Sequence, residues 1–112
     1  MVVICNTDNK ENNKRLHSYL FAYESVLRTG LLPSAKILAQ VLVYQGALKE
    51  DGCCITNEVL GSFTLLDAAT VQRQTGVLTK TKIFHRHREG RNNPYTYYFN
   101  RNTEEWEVEK YV

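Results

Sequence analysis

Between Lys80 and Ile83 the hydrophobic period of this chain changes, and that change limits the folds open to it. Before Lys80 apolar residues recur at spacings of three and four. After Ile83 they alternate. A chain that is helical first and alternating later builds an α+β domain, with its strands gathered toward the C-terminal end.

The alternating part, IFHRHREGRNNPYTYYFNR, reads as two strands, Ile83 to Arg88 and Tyr95 to Arg101. The loop Glu89-Gly90-Arg91-Asn92-Asn93-Pro94 joins them, so the expectation is a β-hairpin with a basic, glycine-containing tip. Tyr95, Tyr97 and Phe99 fall on one face of the second strand and are expected on the core side. With arginines beside them, Tyr95, Tyr97 and Tyr98 also suit stacking on single-stranded bases.

The helical part divides at its capping and turn residues. Thr7 to Lys14 is polar, and residues 1–15 are read as a loose arm. Leu16, Tyr19, Leu20, Tyr23, Val26 and Leu27 mark an amphipathic helix that Gly30 would end. Pro33 suits a first helical position and opens SAKILAQVLVYQ, with Leu38, Val41, Leu42 and Gln45 in helical register. Asp51-Gly52 is a turn signal before the β-prone pair Cys54-Ile55. Thr56 then caps a third helix through Val59, Leu60 and Phe63, and Asp67 a fourth, AATVQRQTGVLTK, with Val71, Thr75 and Leu78 inward. The acidic segment 102–112 places Trp106, Val108 and Tyr111 at spacings that fit a strand or a helical turn equally well.

Charge is partitioned along the 112 residues. Basic and acidic residues balance from Met1 to Leu66. From Asp67 to Arg101 seven basic residues (Arg73, Lys80, Lys82, Arg86, Arg88, Arg91, Arg101) face two acidic ones, and from Asn102 four glutamates face Lys110. A basic stretch confined to one third of the chain is the footprint of a polyanion partner. Other classes lack support. No apolar run approaches the roughly 18 residues that span a bilayer, and the apolar N-terminal run is too short for a secretory signal, so a cytoplasmic protein is expected. Cys5, Cys53 and Cys54 make a poor disulfide framework and read as buried small hydrophobes, with no metal role. His85 and His87 share a strand face and, with Glu89 or His17, could hold a metal; a solvated or DNA-facing strand explains them as well. No catalytic triad signature or phosphate loop occurs, so neither enzyme activity nor a cofactor is expected.

From Leu31 to Phe99 the sequence resembles the winged helix-turn-helix domains of plasmid replication initiators and small phage and bacterial regulators. The resemblance rests on LLPSAKILAQVL, EDGCCITNEVL, DAATVQRQTGVL and IFHRHREGRNNPYTYYF, in that order and spacing. It implies a helical core over residues 16–101 with a C-terminal hairpin wing, and a transcriptional regulator or replication accessory protein that binds double-stranded DNA. The fourth helix would then lie in the major groove, with Gln72 on an adenine edge and Arg73 on a guanine edge or phosphate. Ala68, Ala69 and Thr70 would allow close approach. Lys80 and Lys82 would add charge, Arg86, Arg88 and Arg91 would meet phosphates, and Asn92 and Asn93 would add uncharged hydrogen bonds. The related domains carry a glycine where this chain has Leu65, and basic residues where it has Ala68 and Ala69. That uncharged stretch and the acidic tail suit an alternative, a protein-interaction module such as a viral protein that captures a host factor. A homodimer, through the first helix or the Trp106 segment, is the further partner expected by analogy with proteins that read paired half-sites.

Overall fold

The computed structural model describes residues 10–111, with side chains from His17 onward. Helix α1 (Lys10–Leu27) and helix α2 (Pro33–Leu42) lead through a wider π-type turn (Val43–Ala47) to the short strand β1 (Cys53–Ile55). Helices α3 (Asn57–Thr64) and α4 (Ala68–Lys80) follow, then strands β2 (Phe84–His87) and β3 (Tyr95–Phe99) and a 3-10 turn (Thr103–Glu105). The three strands form one antiparallel sheet in the order β1-β3-β2. The chain is thus an α+β domain of four α-helices and a small sheet.

Local chemistry fixes most of these boundaries. Leu32 is extended and Pro33 supplies the helical φ at N1 of α2. Ala35, Leu38, Ala39 and Leu42, at helical spacing, are then all sealed from solvent. The helix expected to run on to Gln45 stops at Leu42, because Gly46 turns at φ 124° and the last turn widens before it. Gln45 consequently points outward. Gly52 takes φ 73°, and an added Cβ would meet Tyr98, Thr96 and the Tyr97 carbonyl within 3.0 Å, so the Asp51-Gly52 turn admits no side chain there.

Helix α1 departs from its expected form in three ways. It begins at Lys10, so residues 10–15 are helical rather than a loose arm; the rest of that arm, with Cys5, lies outside the described residues. Its buried residues are Ala22 and Val26, with Tyr19 and Tyr23 packed at the edge, whereas Leu20 and Leu27 are exposed. Its end is made by Thr29, whose Oγ1 and N–H both donate to the Val26 carbonyl, and by Lys36 Nζ on the Leu27 carbonyl. Gly30 contributes a backbone bond to Glu109 instead of a left-handed cap.

The connection from α3 to α4 is a turn of three residues. Thr56 Oγ1 accepts from Val59 N–H at the start of α3, and Asp67 Oδ1 accepts from Thr70 N–H at 2.7 Å at the start of α4. Between them Leu65 is left-handed (φ 60°, ψ 21°), 90% exposed, and donates its N–H to the Gly61 carbonyl. A leucine there gives up about 1 kcal/mol relative to glycine, because its Cβ crowds the backbone. Leu65→Gly is therefore expected to raise stability by about 1 kcal/mol in urea unfolding with an unchanged m value; a loss of stability would mean that the leucine packs on the fold after all.

The sheet turns one face inward. Phe84 and Tyr97 are fully enclosed and Phe99, Cys53 and Ile55 nearly so, while His85, His87, Thr96, Tyr98 and Cys54 occupy the other face. Cys54 is exposed, against its reading as a buried hydrophobe. Both long strands are shorter than the expected spans: Ile83, buried but outside the ladder, accepts from Asn100 N–H. The acidic C-terminal segment is neither strand nor helix. After the 3-10 turn, Trp106 is buried against Phe99 with its indole N–H on the Asn100 carbonyl. Glu107 N–H then meets the Thr81 carbonyl, and Lys110 forms a β-bridge with Thr29. The segment straps the end of α4 to the end of α1.

Candidate nucleic-acid interface

Helix α4 presents one uncovered face. With Val71, Gln74, Thr75 and Leu78 turned into the core, Ala69, Gln72, Arg73 and Lys80 lie outside, and Gly76 between them leaves open space where a Cβ would stand. Gln74 is a buried polar residue that helical register alone did not single out. Arg73 approaches Thr70 Oγ1 at 3.5 Å, one turn back. The Thr70 side chain, then its backbone N–H, and lastly the Arg73 charge hold the Asp67 carboxyl below the usual aspartate value.

That depressed pKa has a stability consequence. The carboxylate form is favoured in the folded state, so its contribution is present above the usual aspartate range and is lost as pH falls through the lower folded-state value. Thermal unfolding from pH 5 to pH 2 should show the wild type losing more stability than Asp67→Asn, which has no charge to lose. Parallel curves would contradict this.

The hairpin carries the second group of basic residues. Arg86 and Arg88 alternate with His85 and His87, and both place their guanidinium carbons over the ring of Tyr95, at 4.1 Å and 4.5 Å from its centroid. At the tip Gly90 takes φ 108°, while Asn93 donates through Nδ2 to the Glu89 carbonyl at 2.6 Å and through its N–H to the Gly90 carbonyl. Arg91 and Asn92 are exposed beside it. His87 and Glu89 form a 3.2 Å pair, and among the described residues no group of three or more His, Cys, Asp or Glu is placed to hold a metal ion.

The expected DNA-contacting residues therefore separate. Gln72, Arg73 and Lys80 share the α4 face, with Thr70 half-buried at its edge; Arg86, Arg88, Arg91 and Asn92 share the hairpin. Two are otherwise engaged. Lys82, left-handed at φ 64°, pairs with Glu107 at 2.7 Å, and this carboxylate raises the pKa of the lysine. Asn93 closes the hairpin tip. Arg101, counted in the basic stretch, donates to the Leu48 carbonyl at 3.0 Å. Among the described residues no ion pair neutralises Arg73, Lys80, Arg86, Arg88 or Arg91.

Sequence reasoning placed Tyr95 on the core face or in stacking on single-stranded bases, and missed its contact with Arg86 and Arg88. The signal was present, since alternation puts Arg86 and Arg88 on the face of β2 that carries Phe84, and hairpin pairing brings Tyr95 onto the same face. No helix among the described residues is long and apolar enough to cross a membrane. Comparison with known protein families, curated proteins and solved structures finds no match for this chain.

Proposed function

We propose that this chain is a winged helix-turn-helix protein that binds double-stranded DNA as a transcriptional regulator or replication accessory factor. The observation that carries the reading is a set of five cations, on an exposed helix face and an adjoining hairpin, that no ion pair neutralises among the described residues. The element order supports it: α3 and α4 joined by a three-residue turn, then a hairpin whose second strand lies centrally between β1 and β2. In this arrangement α4 is the reading helix and the hairpin the wing. Gln72 and Arg73 suit bidentate contact with adenine and guanine edges, and Ala69 and Gly76 let the helix backbone approach the groove. The arginines of the wing suit phosphates.

Selection of bound fragments from random double-stranded DNA, followed by gel shifts across a salt series, tests this directly. Recovery of a shared sequence, with affinity falling steeply as salt rises, is the expected outcome. No retained DNA at low salt would remove the reading.

One observation favours a second reading, a winged helix used to hold a protein. Leu65 stands almost wholly exposed, with Phe63 and Val59 exposed on the helix before it and uncharged Ala68 and Ala69 on the helix after it. An exposed apolar group of this kind suits a protein surface, or a second copy of the chain, better than phosphate. The two readings differ in one substitution. Leu65→Asp abolishes capture of a protein partner or self-association, measured by light scattering, and leaves Arg-dependent DNA binding nearly intact.

A further inference from the structure

The geometry points to Tyr95 as the base of a phosphate clamp in which its ring holds the Arg86 and Arg88 guanidinium groups ready for neighbouring phosphodiesters of one nucleic-acid strand. The inference deepens the DNA-binding reading and rests on it for the identity of the polymer.

Tyr95 is fixed from the core side. It is half-buried and paired in register with Ile55 of β1, and its ring lies 6.2 Å from that of the fully enclosed Tyr97. Its remaining surface carries two cations, with guanidinium carbons 4.1 Å and 4.5 Å from the centroid. Two like charges gathered on one ring repel each other, and the ring quadrupole offsets only part of that repulsion. The ordinary remedy would be a carboxylate, and among the described residues neither arginine pairs with one. The nearest in sequence, Glu89, is paired with His87, which belongs to the opposite face of the sheet. An anion between the two arginines completes the balance.

Stacking also decides which anion fits. A guanidinium lying over an aromatic ring uses its face and leaves the N–H fork at its edge free to grip phosphate oxygens two at a time. Two such forks gathered on one ring call for a ligand with more than one anionic group, as a nucleic-acid strand offers with a charge every ~3.4 Å of its axis. Tyr95 would then be a positioning residue, restricting two long side chains whose ordering would otherwise oppose binding.

The test compares wild type with Tyr95→Phe, Tyr95→Leu and the double variant Arg86→Lys/Arg88→Lys. Two probes are used, a random-sequence 15-base-pair duplex followed by fluorescence anisotropy and inorganic pyrophosphate followed by arginine Nε–Hε resonances. In the free protein Arg86 and Arg88 should show ring-current shifts that Tyr95→Phe keeps and Tyr95→Leu abolishes. Duplex affinity should fall about fivefold or more in Tyr95→Leu, with Tyr95→Phe within twofold of wild type. The double lysine variant, which retains both charges and the tyrosine, should lose as much as Tyr95→Leu, so the clamp remains testable even if the leucine variant does not fold. A folded Tyr95→Leu or a lysine variant with wild-type affinity would overturn the clamp while leaving DNA binding in place. Wild type that shifts both resonances with pyrophosphate but ignores the duplex would overturn the clamp as a nucleic-acid site together with the DNA reading, leaving only a grip on small phosphates. Resonances unmoved by either probe would overturn it.

Discussion

Trp106→Ala is expected to cost about 3–5 kcal/mol of stability, the range for truncating a large buried aromatic. For a domain of this size that is a fall in melting temperature on the order of 20 °C. Trp106 is 4% exposed and meets Phe99 edge to face at 5.6 Å; Phe99 meets Phe84 in the same way at 5.4 Å. Truncation would open a cavity at the end of this aromatic row and leave the Asn100 carbonyl without its 2.9 Å indole donor. It would also release the anchor of the strap that ties Thr81 at the end of α4 to Arg28 and Thr29 at the end of α1. Trp106→Phe separates these contributions. It keeps most of the apolar contact and loses the donor, so about 1–3 kcal/mol should remain as the cost. Calorimetry of both variants provides the check, and an alanine variant within 1 kcal/mol of wild type would show the segment to be an appendage.

The contrast between α4 and that C-terminal strap shows what kind of information the residue pattern holds. Asp67, the cap of α4, acts on a backbone donor three residues away, so the start of the helix could be read locally, and all three residues expected inward are buried. Alternation likewise located the hairpin and its core face. By contrast, Trp106 is specified by Asn100, Phe99 and the distant turn after α1, which no local period encodes. Helix α1 illustrates a different obstacle: tyrosines and leucines at mixed spacings of three and four define two overlapping apolar stripes, and only packing against α2 and the turn that follows it selects Ala22 and Val26 over Leu20 and Leu27. In the candidate site, the charges on Arg73 and the hairpin were legible as composition. Their neutralisation was not. Lys82 and Glu107 are 25 positions apart in sequence, and only the folded strap brings them to 2.7 Å.

The distinction between neutralised and free cations leads to the largest effect expected on binding. Replacing Arg86, Arg88 and Arg91 together by alanine should weaken duplex binding on the order of a hundredfold at low salt, since each would surrender a charge-assisted hydrogen bond. The plot of log affinity against log salt should also become shallower, by about 0.9 for each phosphate contact removed. Stability should change little for Arg88 and Arg91, which are exposed, and somewhat more for Arg86, which is half-buried over Tyr95. Lys82 provides the internal control. It carries the same charge, but Glu107 holds it, so Lys82→Ala should shift the salt slope much less than the loss of any one hairpin arginine. Glu107→Gln should free Lys82 and make binding tighter and steeper in salt. If Lys82→Ala instead matched the hairpin variants, diffuse charge would account for any DNA binding. A steep loss confined to Arg86, Arg88 and Arg91 would locate the phosphate contacts on the hairpin and, on the proposed reading, leave α4, with Gln72 and Arg73, to discriminate among sequences.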